Sequence, residues 1–243
     1  MATAKVALVT GAAKRVGRAV ALKLADSGFD VAITFRGSAQ EAKEVVESIQ
    51  RQGRKGLAIQ ADFTEPQRAA EHIDKVFNEK FTRLDALVNN ASLYQPSSLE
   101  SATDEQIHDF FAIHFHTPFL LARRFESLLR SSRGHIVNMI DLLAERPWPE
   151  FLAYSASKAA LGSLTRGLAR ALAPDVTVNG IAPGVVEWPE DYPQGEREKY
   201  LKRVPLGRAG TPEDVANLVH FLVSEGSYIT GQIIPLDGGR SIT

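Results

Sequence analysis

The chain has 243 residues, 44% hydrophobic and 23% charged, with a formal net charge of -1; this is enough for one large or two small globular domains and leaves no broad basic field for nucleic acid or anionic lipid. It contains no cysteine, which excludes disulfides, thiol nucleophiles and cysteine-ligated metals. No uninterrupted apolar stretch approaches the roughly 20 residues needed to cross a bilayer, and Lys5, Lys14 and Arg15 break up the apolar N-terminus, so a cytoplasmic protein without a membrane partner is expected.

Apolar, β-rich runs at 5–9, 31–35, 57–60, 84–88, 135–140, 176–181 and 233–236 alternate with helical patterns. That alternation predicts an α/β fold: a single Rossmann-like domain over 1–243, with a doubly wound parallel sheet of about seven strands and helices on both faces. The first run leads into Thr10-Gly11-Ala12-Ala13-Lys14-Arg15-Val16-Gly17, then a helical pattern from Arg18 to Ser27 closed by Gly28. Glycines at a strand-to-helix turn let the backbone approach a pyrophosphate at the helix N-terminus. Many such turns carry glycine for steric reasons alone, but the strand-turn-helix context and the spacing to the next strand favour a dinucleotide site.

After the second run, where an NAD site carries an acid for the ribose hydroxyl, the chain reads Thr34-Phe35-Arg36-Gly37-Ser38. Arg36, Ser38 and Lys14 are suited to a 2'-phosphate, so NADPH is the expected cofactor. Asp62, ending the third run, can accept from an adenine amino group, and Asn89-Asn90-Ala91, ending the fourth, can pack against the cofactor. Capping-box spacing marks helix starts at Ser38 to Glu41, Thr64 to Gln67, Thr103 to Gln106, and Thr211 to Asp214 with Pro212 first. Long helical patterns near 105–130 and 153–172 have apolar faces, and the Phe110, Phe111, Phe115 and Phe119 stripe reads as core or subunit contact. The stretch 183–210 is rich in Pro, Gly and charge; its 185–205 part is expected to cover substrate and to be helical around 196–203. Trp188 lies in it, as do Glu187, Glu190 and Asp191, which read as a solvated acidic face.

Asp141, Tyr154 and Lys158 carry the chemistry. Tyr154 and Lys158 are four residues apart, so a helix presents them on one face, where the ammonium is expected to lower the phenol from its ordinary value of about 10 and make it a proton donor. Asp141 can hold a proton or a charge. Burial would raise its pKa and Lys158 would lower it, and the sequence leaves that balance open. No metal is expected, because His114 and His116, two apart on a helix, diverge.

The Thr-Gly turn, Asn89-Asn90-Ala91, Tyr154-x-x-x-Lys158 and Pro183-Gly184, in this order over the whole chain, resemble the short-chain dehydrogenase/reductases. Arg15 stands where most of that family has glycine, and Asp141 where it has serine. Both departures, together with Ser92, Tyr94, Arg36-Gly37-Ser38 and the ending Leu236-Asp237-Gly238-Gly239-Arg240-Ser241, are similar to the pteridine reductases, and Ile113-His114 and Thr117-Pro118 to the bacterial dihydromonapterin reductases. The resemblance implies NADPH-dependent reduction of a dihydropterin or dihydrofolate to its tetrahydro form. Catalysis would fall to Asp141, Tyr154 and Lys158. The cofactor would be held by Gly11, Lys14, Arg15, Val16, Arg36, Ser38, Asp62, Asn89, Ala91, Tyr154, Lys158, Pro183 and Gly184. The substrate would meet Arg15, Ser92, Tyr94, Asp141, Tyr154 and Trp188. By register, His114 falls where many such enzymes carry an asparagine of a water-linked proton relay; relay and simple packing both stand as readings. A homotetramer is also implied. A ketone or 3-oxoacyl reductase of the same superfamily is the second reading, and a non-catalytic NADPH-binding regulator the third.

Overall fold

A computed structural model describes residues 4–188 and 192–243. Seven parallel strands, β1 Val6–Val9, β2 Asp30–Phe35, β3 Gly56–Gln60, β4 Ala86–Asn89, β5 His135–Met139, β6 Thr177–Pro183 and β7 Ile233–Leu236, form one sheet in the order β3-β2-β1-β4-β5-β6-β7. They are sheathed on both faces, which explains why the strands read as continuous apolar runs. Along β1, Ala7 and Val9 join the core under helices α1 Arg15–Asp26, α2 Ala39–Arg51 and α8 Pro212–Ser224. Val6 and Leu8 join the core under α3 Pro66–Asn78, α5 Thr117–Ser132 and α6 Leu152–Leu172. Fully buried Phe77 and Phe125, edge to face at 5.0 Å, anchor that second core. Each such side chain stabilises the fold by about 1.5–3 kcal/mol.

Strand order reverses at β1, whose neighbours are β2 and β4. The crevice beyond the carboxyl ends of β1 and β4 is therefore where a doubly wound sheet binds its ligand. Two of the expected capping boxes form, at Thr103 before α4 Asp104–Phe111 and at Thr211 before α8. The other two do not. Thr64 donates to Asp62 Oδ1 and α3 starts later, at Pro66, while Ser38 makes no side-chain cap and Glu41 turns instead to Lys14. Helix α1 begins at Arg15, three residues before the pattern suggested. Helix α7 covers Gln194–Leu201. None of the helices among the described residues is long and apolar enough to cross a membrane.

Candidate functional site

Thr10 fixes the crevice floor. Its hydroxyl accepts the backbone N–H groups of Asn90 (2.9 Å) and Ala91 (3.0 Å), and the Asn90 amide donates back to the Thr10 and Gly11 carbonyls at 2.8 and 3.1 Å. Thr34 completes the lock by accepting from Gly11 N–H at 3.0 Å. Gly11 has φ +62°, and a Cβ there would lie 2.8 Å from the Ala91 Cα; one at Gly17 would lie 2.5 Å from the Gly11 carbonyl and the Asn90 amide. Only glycine fits either place. Sequence reasoning missed Thr10, Thr34 and Asn90 as the residues that tie the two turns together, although the Thr-Gly and double-Asn pairs were visible.

The resulting groove is lined by Gly11, Arg36, Asp62, Ala91 and Ser92 among others. Arg36 has no ion-pair partner among the described residues, leaving a free cation at the ribose end. Lys14 is not free: it pairs with Glu41 at 2.6 Å. Arg15 also departs from expectation. It sits in the left-handed region (φ 52°) and reaches Glu187 Oε2 at 2.5 Å and the Glu187 carbonyl at 3.3 Å, so Glu187 is exposed, as expected, and also paired. Glu190 and Asp191 lie outside the described residues. Val16 packs on the α1-side core. Asn89, expected against a cofactor, is buried and donates to Asn138, which donates to Thr165, a buttress behind the groove. Pro183 ends β6 beside Leu236, and a Cβ at Gly184 would come 3.1 Å from Asp237. The bare glycine cradle and the unpaired Arg36 fit a dinucleotide bearing a 2'-phosphate.

At the other end, Asp141 caps the short 3-10 turn Leu142–Ala144 by accepting the Leu143 N–H at 2.8 Å, and its second oxygen accepts the Tyr154 hydroxyl at 2.8 Å. Lys158, fully buried one turn along α6, donates to the Met139 carbonyl at 2.9 Å. Burial outweighs the other influences on all three groups. It raises Asp141 despite the Leu143 N–H, the Tyr154 hydroxyl and Lys158. It brings Lys158 down to about 8 against the pull of Asp141. Burial, and then the neighbouring Asp141 charge, push Tyr154 well above the usual phenol value, so the expected lowering of Tyr154 does not occur. Tyr154 stays protonated near neutral pH, and Lys158 titrates at about 8. The three form one coupled set.

His114 lies in a π-helical turn, Ala112–His116, between α4 and α5. Pro118 has no N–H for the carbonyl four residues back, and the turn widens to a Thr117 N–H bond with Ala112. The imidazole is buried; Nε2 accepts the Leu93 N–H at 3.2 Å and meets the Ser92 hydroxyl at 3.0 Å. An accepting Nε2 puts the proton on Nδ1, which then donates to Ser157 Oγ at 2.8 Å, and Ser157 donates to the Tyr154 carbonyl at 2.6 Å. Burial, with Lys158, holds His114 well below its ordinary value. It is a neutral brace between Ser92 and α6, closer to the packing reading than to a relay. A lowered histidine contributes stability that is full above its unfolded pKa of about 6.5 and is lost as pH falls through the folded value. His114→Asn is therefore expected to flatten the loss of stability between about pH 7 and 5, read from urea midpoints; an acid limb as steep as the parent's contradicts this placement.

Tyr94, half exposed, stacks on Phe151 at 4.6 Å and 15° and meets Tyr154 edge-on at 5.0 Å. Phe151, three residues before Tyr154, was not foreseen. Trp188 contacts Tyr192 (4.9 Å) and Tyr200 (5.4 Å), with Arg197 over its ring. Among the described residues no group of three His, Asp or Glu side chains could hold a metal.

A nucleotide cradle at one end of a parallel sheet and a buried Tyr-Lys-Asp set beside it define a dinucleotide-dependent oxidoreductase of the α/β class. The family model described as enoyl-(acyl carrier protein) reductase matches residues 11–241. The chain is 35% identical over 244 residues to the 3-oxoacyl-[acyl-carrier-protein] reductase FabG of Staphylococcus aureus strain Mu50, covering 98% of this chain and 99% of that protein. It is 36% identical to the L-2,3-butanediol dehydrogenase of Corynebacterium glutamicum, with 97% and 98% covered. Among solved structures, a short-chain dehydrogenase from Burkholderia cenocepacia J2315 in complex with NADP matches with a TM-score of 0.91, 37% identity and 97% of each chain covered. The acetoin dehydrogenase of Enterobacter cloacae matches with 0.91 and 32%, covering 100% and 97%. This chain belongs to the short-chain dehydrogenase/reductase superfamily. These names span enoyl and 3-oxoacyl reductases and dehydrogenases of butanediol and acetoin, and none of them names a pterin.

Proposed function

We propose that the chain is an NADPH-dependent reductase whose substrate is a dihydropterin, reduced at a C=N bond to the tetrahydro form. The observation that carries this reading is the 2.8 Å hydrogen bond from Tyr154 to a buried carboxylate, Asp141, whose raised pKa gives the donor a second proton-holding group. A serine at that position would orient the tyrosine but could not resupply it. Bound NADPH supplies the hydride. Arg36 and Ser38 would hold its 2'-phosphate, Lys14 would join them if it left Glu41, and the Asp62 oxygen that Thr64 leaves open would receive the adenine amino group. Lys158 holds the nicotinamide ribose. Tyr154 gives its proton to the ring nitrogen next to the carbon that receives hydride, and Asp141 passes a proton to Tyr154 or orients it. Tyr94 and Phe151 offer an aromatic platform, and Ser92, braced by His114, faces the ring edge. The Arg15–Glu187 ion pair links the nucleotide turn to the chain just beyond β6. Exposed Ile107, Phe119 and Leu152 on the α4 to α6 face support a homotetramer.

The second reading, reduction of a ketone or 3-oxoacyl thioester, is favoured by the names of the relatives, and the same Tyr154 proton would go to the developing alkoxide. Parallel NADPH oxidation assays with 7,8-dihydromonapterin, dihydrobiopterin, dihydrofolate and an acetoacetyl thioester separate the two. Turnover of a dihydropterin with higher kcat/KM than the thioester is expected; activity on the thioester alone ends the pterin reading.

A further inference from the structure

Arg240 opens the last 3-10 turn, Arg240–Ile242, and is only 9% exposed. Its side chain has no hydrogen bond or ion pair among the described residues, and its Nε is buried without an acceptor. Its closest acid in sequence, Asp237, is committed elsewhere: Oδ1 accepts the Gly239 N–H at 2.9 Å and Oδ2 the Ser241 N–H at 2.5 Å. What Arg240 does touch is Tyr200, with the guanidinium carbon 5.6 Å from the ring centre. A cation over a ring is held, but a guanidinium buried with its donors unspent is under-satisfied.

Tyr200 connects Arg240 to the carboxyl end of β6, the edge of the sheet on which the nucleotide crevice opens. Its hydroxyl accepts the Val185 N–H at 3.2 Å, just beyond β6, and its ring meets Trp188. Burial, the largest influence, raises the Tyr200 phenol, while the Val185 N–H and then the Arg240 charge draw it down. We propose that Arg240 anchors an anionic substituent of the substrate, a carboxylate or a phosphate, at a distance from the bond that is reduced. Planar, fork-shaped donors suit either anion, and a fixed anchor would orient the flat or extended part of the substrate against Tyr94 and Tyr154. The proposal rests on the reductase reading above but not on the identity of the reduced group, because a carboxylated pterin and a phosphate-bearing thioester both carry such an anion.

The test compares matched substrates with NADPH saturating: dihydrofolate (anionic) with dihydrobiopterin (neutral tail), and acetoacetyl-CoA with neutral diacetyl. Arg240→Gln is expected to raise KM for the anionic member of a turned-over pair by about tenfold or more, to leave the neutral member within about twofold, and to be partly rescued in Arg240→Lys. The pair that responds names the anion's source. Equal changes in both members, or none, overturn the proposal. If both pterins are inert while the thioester pair responds, the pterin reading fails and the anchor stands. Independently of turnover, calorimetric titration of the NADPH-loaded enzyme with inorganic phosphate should show binding that weakens about tenfold in Arg240→Gln. No phosphate binding to the parent enzyme, or equal binding to the variant, also overturns it.

Discussion

Tyr154→Phe is expected to lower kcat by about 10² to 10⁴ while leaving the NADPH dissociation constant within about twofold, because positioned proton transfer contributes on that scale. The ring keeps its edge contacts with Tyr94, Phe110 and His114, so the walls of the site persist. Lys158 keeps its own bond to the Met139 carbonyl, so its position does not depend on the lost hydroxyl. What disappears is the donor. Asp141 loses its hydrogen bond from the phenol, a cost of about 1–3 kcal/mol for a buried polar group, softened because its raised pKa lets it take a proton. Steady-state kcat and a fluorescence titration of NADPH check the two halves; a variant retaining more than about a tenth of kcat removes Tyr154 as the acid.

Lys158→Met is expected to divide activity from stability. Removing the ammonium takes away a cation 5.8 Å from the Tyr154 ring centre and the proposed ribose anchor, so kcat/KM should fall by about 10² or more. The fold is expected to lose no stability, since a fully buried ammonium with one carbonyl partner carries a desolvation penalty that an apolar chain of similar length does not. The sign follows from the lowered pKa. A group whose folded pKa lies below its unfolded value of about 10.4 gives its full contribution above that value and has lost it once pH falls through about 8. At neutral pH the parent therefore bears a cost, on the order of 3 kcal/mol, that Lys158→Met relieves. The same titration predicts that parent activity declines above about pH 8 through Lys158, not through Tyr154, whose burial keeps it protonated. A melting temperature for Lys158→Met several degrees below the parent at pH 7 contradicts this account.

The sheet, its seven strands and the crossover helices were legible because each strand is buried on both faces and so appears as an uninterrupted apolar run. Strand ends shifted by one or two residues, as at β4, which closes on Asn89 and not on Val88. The nucleotide turn and the Asp141, Tyr154 and Lys158 set were also legible, since their spacing is local. Effects that depend on non-local contacts were not. Arg15 and Glu187 are 172 positions apart, so nothing along the chain shows that they meet. The Tyr154 pKa reversed its expected direction because the sequence displays the ammonium four residues on but not the burial and the close Asp141 charge that raise it. His114 kept two readings until Leu93, Ser92 and Ser157 closed around it, and the π-helical turn that aims it follows from Pro118 only once the helix is known to continue through it.

The central claim is that the Asp141 carboxylate adapts a family-wide tyrosine donor to a C=N bond. The measurement that tests it most directly is kcat/KM of Asp141→Ser relative to the parent, for 7,8-dihydromonapterin and for an acetoacetyl thioester in the same buffer. Serine keeps a hydrogen-bonding partner for Tyr154 but holds no titrating proton. The account predicts that the dihydropterin value falls by about tenfold or more, with the thioester value within about twofold of its starting level. A folded Asp141→Ser enzyme with undiminished dihydropterin turnover, or with both values reduced alike, contradicts it.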